Sequence, residues 1–539
     1  MWGFSRFAAV IAVLAGALVL ASPASATTFC VPGFFEACPN SGGNVAQPNL
    51  ALAVTQNGSD GNPDTVYIDE MTYASAGQDS LVFSGTDELN LFGSGRDKTI
   101  ITSSAGGNIY LVLANNRTGQ VTMKDLALVV PSTFPDGNGK GSAIQARDLD
   151  LERVDVIVEN NGSSAISNLI GGGNFDSVRI FGRNGAQADR GIDGQACSAG
   201  TLTITNSEIT TNGLGIYSQC KNRPVVVERS TIESTSSAAS VAYGASLRVE
   251  NSVIRGGDVS PVTAYGNVAE NTTLDLDQVT LVAIGDNTVA PIFAQVANLP
   301  AATGNVEVEV RNTLIAGYQQ TWNRTAPVDP ARGDANLDLA YSNFVPSGVS
   351  AGDGTIDQST GNLNLSPGFV DITDFHLAPG SAMVDAGDPA AALPELDLEG
   401  NARPLDGNYD EVAVRDIGAY ELNPPPPSCP VVPSLCPPDT TAPKVSKLKF
   451  RFKFGKGGAI RYRVSEAARI RIVLKPVPAG KGKNRRKVVR IKRGNRKGPG
   501  VITLGKRKLK QGIYRLVIRA TDKAGNTSKP IVRKVRARR

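Results

Sequence analysis

The chain has 539 residues, a formal net charge of +5 at pH 7 and 41% hydrophobic residues. After residue 26 no segment reaches the roughly 18 apolar residues that a membrane-spanning helix needs, which excludes proteins built on such helices. The charge is unevenly distributed: residues 439–539 hold 34 Lys and Arg against three Asp and Glu, whereas residues 1–438 hold 21 against 47. A boundary between two parts of the chain that differ in composition therefore lies near residue 430.

The N-terminus has the pattern of a secretory signal peptide. Arg6 precedes an apolar run from Phe7 to Leu20, and the small residues Ala24 and Ala26 follow it. We therefore predict a signal peptide over residues 1–26 and an exported protein that is secreted, extracellular or associated with a cell surface.

Six cysteines in an exported chain predict disulfide bonds. They fall into three neighbouring pairs, which are Cys30–Cys38, Cys197–Cys220 and Cys429–Cys436. Metal ligation is the weaker interpretation, because no CxxC spacing occurs and no histidine lies near these cysteines.

Two short patterns precede the main repeat. Residues 48–56, PNLALAVTQ, predict a short helix that covers the apolar end of the first coil. Residues 62–101 then read as short strands separated by Gly and Asp turns.

One eight-residue phrase recurs between residues 121 and 344. It consists of alternating apolar residues, a polar pair and a further apolar residue, and its starts are 22 to 34 residues apart. The copies are VTMKDLAL at 121, LDLERVDV at 149, a degraded GNFDSVRI at 173, LTITNSEI at 202, VVVERSTI at 225, LRVENSVI at 247, LDLDQVTL at 274, VEVRNTLI at 308 and LDLAYSNF at 337. Alternation with period two predicts strands, and the spacing is that of a solenoid.

The polar pairs predict the bends of this solenoid. Asn206, Asn251 and Asn312 each begin a pair, and Asn tolerates left-handed backbone geometry and can hydrogen-bond from coil to coil. The following residues Ile209, Ile232, Ile254 and Ile315 are then expected to face the core. Cys197 and Cys220 each lie five residues before a copy of the phrase, so they occupy the same place in successive coils, within disulfide distance. We predict a parallel β-helix over residues 27–364.

The segment DTVYIDEMTY, followed by LNLFGSGRDKTII, resembles the entry coils of secreted right-handed β-helix proteins of the pectin-lyase-like superfamily. The resemblance implies an all-β, right-handed parallel β-helix, and many such proteins cleave acidic polysaccharides. Those similar to pectate lyases use carboxylates on adjacent coils and an arginine base. Residues 181–200, interpreted as one long turn, offer Arg183, Asp189, Arg190 and Asp193 as weak catalytic candidates, with a solvated loop as the alternative.

Residues 365–422 fall where the solenoid must close its last coil. DFHLAPGSAMVDAGD, DLEGNARP and DIGAYE strongly resemble the choice-of-anchor Q domain, with Asp374, His376, Asp385, Arg403, Asp416 and Glu421 among the matching residues. No catalytic role is established for that module. For His376, the only histidine, we favour a hydrogen-bonded residue in a packed turn over a general acid or base.

Several acidic side chains of this segment could bind calcium, although no cofactor is otherwise implied. They are Asp385, Asp388, Asp397, Glu399, Asp406 and Asp410. Asx turns explain the same residues without an ion.

The remaining chain divides into a proline-rich linker, residues 423–441, and a basic domain, residues 442–539. Seven short alternating strands predict a small antiparallel β-sandwich: KLKFRFKF, AIRYRV, ARIRIVLK, KVVRIK, GVITLG, IYRLVIRATD and IVRKV. The phrases SEAARIRI and GIYRLVIRATDKAGNTS resemble immunoglobulin-like modules of bacterial surface proteins. Basic residues alternate with core residues, which predicts a positive surface for an anionic polysaccharide or cell-wall polymer. Nucleic acid is a less favoured partner, because aromatic stacking platforms are scarce.

Two functional hypotheses follow from the sequence. The first is a monomeric, non-enzymatic surface protein that binds or is displayed on polysaccharide. The second is a polysaccharide lyase or glycoside hydrolase that acts on acidic polysaccharide.

Overall fold

The computed structural model describes residues 26–56, 61–75, 81–83, 85–103, 110–114, 118–132, 141–167, 169–194, 198–284, 287–390, 396–408, 412–423, 440–477, 486–506 and 508–538. The chain divides into two compact units, Met1–Pro425 and Pro426–Arg539. Residues 1–25 of the predicted signal peptide, nearly all of the predicted linker, and Cys429 and Cys436 lie outside the described residues. In the described part of the chain, no helix is long and apolar enough to cross a membrane.

Thirty-two strands of the first unit stack in parallel, coil upon coil, and confirm the predicted β-helix. Each coil contributes to three sheets, which we call A, B and C in the order that the chain passes through them. Sheet A consists of Thr28–Val31 with Val45–Ala46 beside it, Asp64–Ile68, Leu89–Phe92, the first halves of Val121–Val130 and Leu149–Val158, Gly173–Asp176, Leu202–Thr205, Val225–Glu228, Ser246–Glu250, Thr272–Asp277, Val306–Arg311, Ala335–Ala340 and Ile356–Thr360.

Sheets B and C complete the three faces of the solenoid. Sheet B consists of Thr72–Ser75, Ile100–Ser103, the second halves of Val121–Val130 and Leu149–Val158, Arg179–Gly182, the first part of Glu208–Ser218, Thr231–Ser234, Val253–Gly256, Thr280–Ala283 and Leu314–Ala316. Sheet C consists of Leu81–Val82, Tyr110–Ala114, Ser142–Ala146, Ser164–Ser167, Ala188–Gly194, the second part of Glu208–Ser218, Ala239–Ala242, Val262–Gly266, Ile292–Val296, Trp322–Thr325 and Gly348–Ala351.

The recurring phrase forms a strand of sheet A, the bend, and the start of sheet B. Asn206, Asn251 and Asn312 have φ values of 52°, 46° and 49°, so the predicted left-handed bends are confirmed. The isoleucines after the bends face inward and are buried in one continuous core, as predicted. Burying each of these side chains contributes about 1.5–3 kcal/mol relative to exposure.

The main coil-to-coil ladder at this corner is formed by hydroxyl groups rather than by asparagine amides. The amide N–H of Val178 donates to Ser207 Oγ at 3.0 Å, that of Ser207 to Ser230 Oγ at 3.1 Å, and that of Ser230 to Ser252 Oγ at 3.1 Å. The ladder involves the second residue of the polar pair, because its short side chain lies inside the corner. Asn206 and Asn312 also hydrogen-bond from coil to coil, as predicted, because each donates from its side-chain amide to a carboxylate of the preceding coil, that of Asp176 or Asp277.

A short helix, Leu50–Thr55, covers the first coil as predicted. Asn49 caps it by accepting the amide N–H of Leu52 at 2.9 Å. Leu50, Ala53 and Val54 are buried in the solenoid core, so the helix shields the apolar end of the stack.

Residues 365–422, which we call the strap, lie along the side of the solenoid. The sequence predicted a cap across the last coil, but the described contacts run to the outer face of sheet B. Leu314 and Ala316 point outward there and pack with strap residues Leu377, Met383 and Ile417. Among the described residues of the strap, two strands occur, Phe369–Asp371 and Asp374–Leu377, and they form an antiparallel hairpin.

The last coils are closed in part by residues of the solenoid itself. The side chain of Arg324 is buried, and its Nη1 donates to the carbonyl of Asp353 at 2.6 Å and to that of Ala335 at 3.2 Å. The rings of Trp322 and Phe344 pack edge to face beside it, with centroids 6.3 Å apart.

The C-terminal unit is one five-stranded antiparallel sheet, with strands Val445–Lys453, Gly457–Val477, Val489–Leu504, Gly512–Thr521 and Ile531–Ala537. The seven predicted strands become five, because AIRYRV continues into ARIRIVLK and KVVRIK continues into GVITLG. Register shifts between Val464 and Ile470 bend the long second strand. The sheet curls around one core, and its first and last strands meet at Lys453 and Arg538.

Candidate functional site

Four successive coils carry an aromatic residue on the outer face of sheet C or directly after its strand. The four residues are Tyr217, Tyr243, Tyr265 and Phe293, which we call the aromatic patch. Strand register fixes three of these positions, since Tyr217 pairs with Ser240, Tyr265 with Ala242 and Phe293 with Thr263. Tyr243 lies in the turn directly after the strand Ala239–Ala242, with a φ of 57°. Successive coils lie about 4.8 Å apart, so the patch extends for about 14 Å along the solenoid axis.

The rings of the aromatic patch are partly open to solvent. Tyr243 is 45% exposed and Tyr265 is 37% exposed, which is unusual for large side chains on a well-packed sheet. The rings of Tyr265 and Phe293 contact each other, with centroids 5.2 Å apart and an angle of 46°. Below them, Thr263 Oγ1 donates to Ser240 Oγ at 2.7 Å, and this buried hydroxyl pair makes the floor of the patch rigid.

The phenol groups of Tyr217 and Tyr265 are hydrogen-bond donors at neutral pH. Burial raises the pKa of Tyr217, and Tyr243 and Asp193 raise it further. Burial also raises the pKa of Tyr265. Rings that combine an apolar face with a protonated hydroxyl suit a ligand that has both apolar C–H faces and hydroxyl groups.

An ion pair lies at one end of the patch. Asp193 pairs with Tyr217 of the next coil in the strand register. Its carboxylate accepts a hydrogen bond from the guanidinium of Arg190. Asp193 is buried, whereas Arg190 is only half-buried. This ion pair therefore places polar groups without a net charge at one edge of the aromatic patch.

The structure separates the four weak catalytic candidates. Arg190 and Asp193 lie together on sheet C, but Arg183 lies in the turn after sheet B, where its Nε donates to Glu159 Oε1 of the preceding coil at 2.7 Å. Asp189 belongs to the strand Ala188–Gly194, and its amide N–H donates to the carbonyl of Ser163 at 2.8 Å. The prediction of one long turn over residues 181–200 is thus wrong, because the strand Ala188–Gly194 of sheet C interrupts it and pairs with the neighbouring coils.

Of the predicted disulfides, the bond between Cys30 and Cys38 is confirmed. Cys197 lies outside the described residues. Cys220 is fully buried near the carbonyl of Ser198, so the bond between Cys197 and Cys220 stays a prediction.

A row of carboxylates lies on the outer face of sheet A. Asp275, Glu309 and Asp338 are paired in register on successive coils. Arg248 Nε lies 3.3 Å from Asp275 Oδ2, and Arg311 Nη2 lies 3.3 Å from Asp338 Oδ2. Burial raises the pKa of Asp275 to about 6, although Arg248 opposes the rise. A carboxyl group with a raised pKa beside a second carboxyl group is an arrangement that glycoside hydrolysis uses.

The strap holds the predicted calcium candidates in hydrogen-bonded turns. Asp385 accepts the amide N–H of Asn408 at 2.9 Å, Asp388 that of Ala390 at 2.9 Å, and Asp397 that of Asn401 at 2.7 Å. Glu399 lies near His376, Asp406 lies in the following turn, and Asp410 is outside the described residues. In the described part of the chain, no group of three His, Cys, Asp or Glu side chains comes together as a metal site would require.

His376 is also held by neighbouring groups of the strap. Its Nδ1 is hydrogen-bonded to Asp374, its Nε2 lies 3.5 Å from Glu399 Oε2, and its ring contacts that of Tyr420 with centroids 4.1 Å apart. The histidine is thus hydrogen-bonded and packed against Tyr420, as we favoured from the sequence, but it lies in the strand Asp374–Leu377 rather than in a turn.

The other strap residues singled out in the sequence form a buried ionic cluster. Arg403, Asp416 and Glu421 are 1%, 0% and 4% exposed, and Arg403 Nε lies 3.4 Å from Glu421 Oε2. Arg403 also donates to the side chain of Gln278 in the solenoid. Desolvation raises the pKa values of Asp416 and Glu421, and for Asp416 the neighbouring Glu421 adds to the rise.

The sequence interpretation missed the aromatic patch, because the recurring phrase covers only sheets A and B. A weaker signal was present. An aromatic residue follows two or three small or β-branched residues in the third strand of successive coils, as in VAYG, TAYG and PIFA.

No family model matches the chain, and no curated protein matches it. Among solved structures, ORF18 of Geobacillus virus E2 is similar at 8% identity and a TM-score of 0.27, covering 86% of this chain and 78% of that one. The enzymatically active domain of tailspike protein 2 of bacteriophage CBA120 is similar at 10% identity and a TM-score of 0.17, covering 87% and 72%. The resemblances to the pectin-lyase-like superfamily, the choice-of-anchor Q domain and immunoglobulin-like modules therefore stay predictions.

Proposed function

We propose that this protein is an exported β-helix protein that binds polysaccharide on sheet C and attaches to anionic polymer through its C-terminal unit. The aromatic patch carries the proposal. Four aromatic residues at intervals of one coil match a ligand that is itself a linear repeat, and the hydroxyl and ion-pair groups around them match a sugar chain.

The C-terminal unit supports the second part of the proposal. In the strand Gly512–Thr521, Tyr514, Leu516, Ile518 and Ala520 are buried, whereas Arg515 and Arg519 are exposed. The neighbouring strands show the same alternation, with basic residues on the outer face. A surface of this kind attracts anionic polysaccharide or cell-wall polymer.

Binding of the whole protein to a panel of neutral and acidic polysaccharides tests the role of the patch. We expect Tyr265→Ala to weaken binding of the best ligand by about fivefold to thirtyfold, the range for loss of an aromatic contact residue at a binding surface. The matched control is Tyr67→Ala, because Tyr67 packs against Phe92 in a similar aromatic pair on sheet A, with centroids 5.5 Å apart. Equal effects of the two substitutions would contradict a site on sheet C.

A carbohydrate-active enzyme is the second candidate function, and the row of carboxylates on sheet A favours it. Asp275 would act as the general acid, and Glu309, one coil away, would be the second carboxyl group. The same polysaccharide panel separates the two functions. New reducing ends that disappear in Asp275→Asn would establish a glycoside hydrolase, and unsaturated ends would establish a lyase. Binding without either product supports the non-enzymatic function.

A further inference from the structure

The outer face of sheet C continues for two coils beyond the aromatic patch. Phe293 pairs in register with Asn323 of the next coil, and Asn323 pairs with Val349 of the coil after that. Beside this row, Tyr265 pairs with Gln295. The two aromatic rings that contact each other are therefore followed, one coil further along the solenoid, by two side-chain amides.

This face carries no charged side chain over six successive coils. Its outward residues alternate with residues of the buried core, and the strand register aligns them from coil to coil. They all lie in strands that the structure describes, and they are Tyr217, Ser240, Ala242, Thr263, Tyr265, Phe293, Gln295, Asn323, Thr325, Val349 and Ala351. Aromatic, amide, hydroxyl and small apolar groups thus make up the whole of this surface.

The outer face of sheet A has the opposite character on the same part of the solenoid. Its outward residues, paired in register on successive coils, are Arg248, Asp275, Glu309, Asp338 and Asp357. The lack of charge is therefore a property of sheet C and not of the solenoid as a whole. A charge that is covered by an uncharged ligand loses its hydration without gaining a partner, so a face that binds an uncharged polymer is expected to avoid charges.

Two ion pairs lie at the edges of the aromatic patch. One is the pair of Arg190 and Asp193, and the other joins Lys221 to Glu270, which lies against the backbone directly after Tyr243. The cations of these pairs are already compensated by carboxylates. An acidic polysaccharide on this face would have to compete for them, whereas an uncharged one would not.

The amides of Gln295 and Asn323 are suited to binding hydroxyl groups. Both side chains are half-buried, and among the described residues neither has a hydrogen-bond partner within the protein. A primary amide offers two donors and an acceptor without a charge, which matches a hydroxyl group that both donates and accepts. The aromatic rings beside them offer the apolar surface that the C–H face of a sugar ring requires.

We infer that the ligand of sheet C is an uncharged polysaccharide, with sugar rings against the aromatic patch and hydroxyl groups on Gln295 and Asn323. This inference rests on the proposed function, because it names the class of polymer that the same site binds. The protein then has two ligands of different chemistry, since the basic C-terminal unit attracts an anionic polymer.

Binding of the whole protein to hexasaccharides distinguishes an uncharged ligand from an acidic one. The neutral probes are hexasaccharides of glucose, mannose and xylose, and the acidic probe is a hexasaccharide of galacturonic acid. We expect the affinity for the best neutral probe to change by less than about twofold between about 0.05 M and about 0.5 M salt, because screening acts on charges alone. The affinity for the acidic probe should fall by about tenfold or more, since it binds the C-terminal unit. Isothermal titration calorimetry measures both.

Substitutions of the two amides locate the neutral ligand. Gln295→Ala and Asn323→Ala should each weaken binding of the best neutral hexasaccharide by about twofold to tenfold, the range for loss of one hydrogen bond. Both variants should bind the galacturonic acid hexasaccharide as the wild type does. The matched control is Gln358→Ala, which removes an exposed amide from the strand Ile356–Thr360 of sheet A and should change neither affinity.

Two other results would overturn the inference, and they differ in what they say of the proposed function. If only the galacturonic acid hexasaccharide binds, and Tyr265→Ala weakens its binding at high salt, sheet C is a polysaccharide site but its ligand is acidic. If Tyr265→Ala changes the binding of none of the hexasaccharides, the proposed site on sheet C is wrong together with the inference.

Discussion

The side chain of His376 illustrates how single residues hold the strap together. The ring lies between Asp374 and Glu399 and against Tyr420. The hydrogen bond with Glu399 raises the pKa of His376 most, burial opposes the rise, and Asp374 supports it. The protonated ring is thus favoured in the folded state, and it connects the hairpin of the strap to the turn at Glu399. This contribution is present below the ordinary pKa and is lost as the pH rises through the raised one.

We predict that His376→Ala destabilises the protein more at pH 5.5 than at pH 8.5. The charged contacts exist only while the ring is protonated, whereas the packing against Tyr420 is lost at both pH values. Thermal unfolding of the wild type and the variant at the two pH values measures the difference. A loss of equal size at both would show that packing alone matters. Unchanged stability together with lost activity would make His376 a functional residue instead.

At the scale of a structural element, the corner between sheets A and B depends on two residues with different tasks. The first has a left-handed backbone conformation, and the second supplies a hydroxyl to the ladder. Ser230 is fully buried, donates to the carbonyl of Glu228 at 2.8 Å and accepts the amide N–H of Ser207. Loss of one hydroxyl leaves a buried backbone N–H without its acceptor, which carries a larger cost than a surface hydrogen bond.

We predict that Ser230→Ala lowers the free energy of unfolding by about 1–3 kcal/mol. Thr203→Ala, on the outer face of sheet A, is the matched control and should change it by about 0.5 kcal/mol or less. Denaturant unfolding of the whole protein measures both. Similar losses in the two variants would show that the ladder contributes nothing specific to the corner.

The sequence patterns predicted the strands and corners of the solenoid better than they predicted the contacts of its outward faces. The polar pairs at Asn251 and Asn312 predicted the corners and the strand register, because alternation with period two leaves one face of a strand for the core. The same alternation does not predict which other segment of the chain contacts the outward face of a strand. For this reason the sequence did not predict that Leu314 contacts the strap. It likewise predicted Arg190 and Asp193 as site residues but missed Tyr265, since the connections from sheet B to sheet C vary in length and obscure the third strand.

At the scale of the whole molecule, opposite net charges characterise the two parts of the chain. The basic residues of the C-terminal unit alternate with its core, so their side chains share the outer face of one sheet. Attraction between exposed charges is screened over about 10 Å at 0.1 M salt and about 3 Å at 1 M. Attachment through such a surface must therefore weaken steeply as salt is added.

We predict that retention of the whole protein on isolated bacterial cell walls falls steeply between about 0.05 M and 0.5 M salt, because the Debye length shortens severalfold over this range. Arg515→Gln combined with Arg519→Gln should reduce retention at low salt, since both side chains are exposed on the basic face. The control removes two positive charges from the solenoid instead, by Lys98→Gln and Lys221→Gln. The amino groups of these lysines pair with Glu70 and Glu270. Cosedimentation with the walls measures all three proteins. Retention that is independent of salt, or equally reduced in both double variants, would contradict attachment through the C-terminal unit.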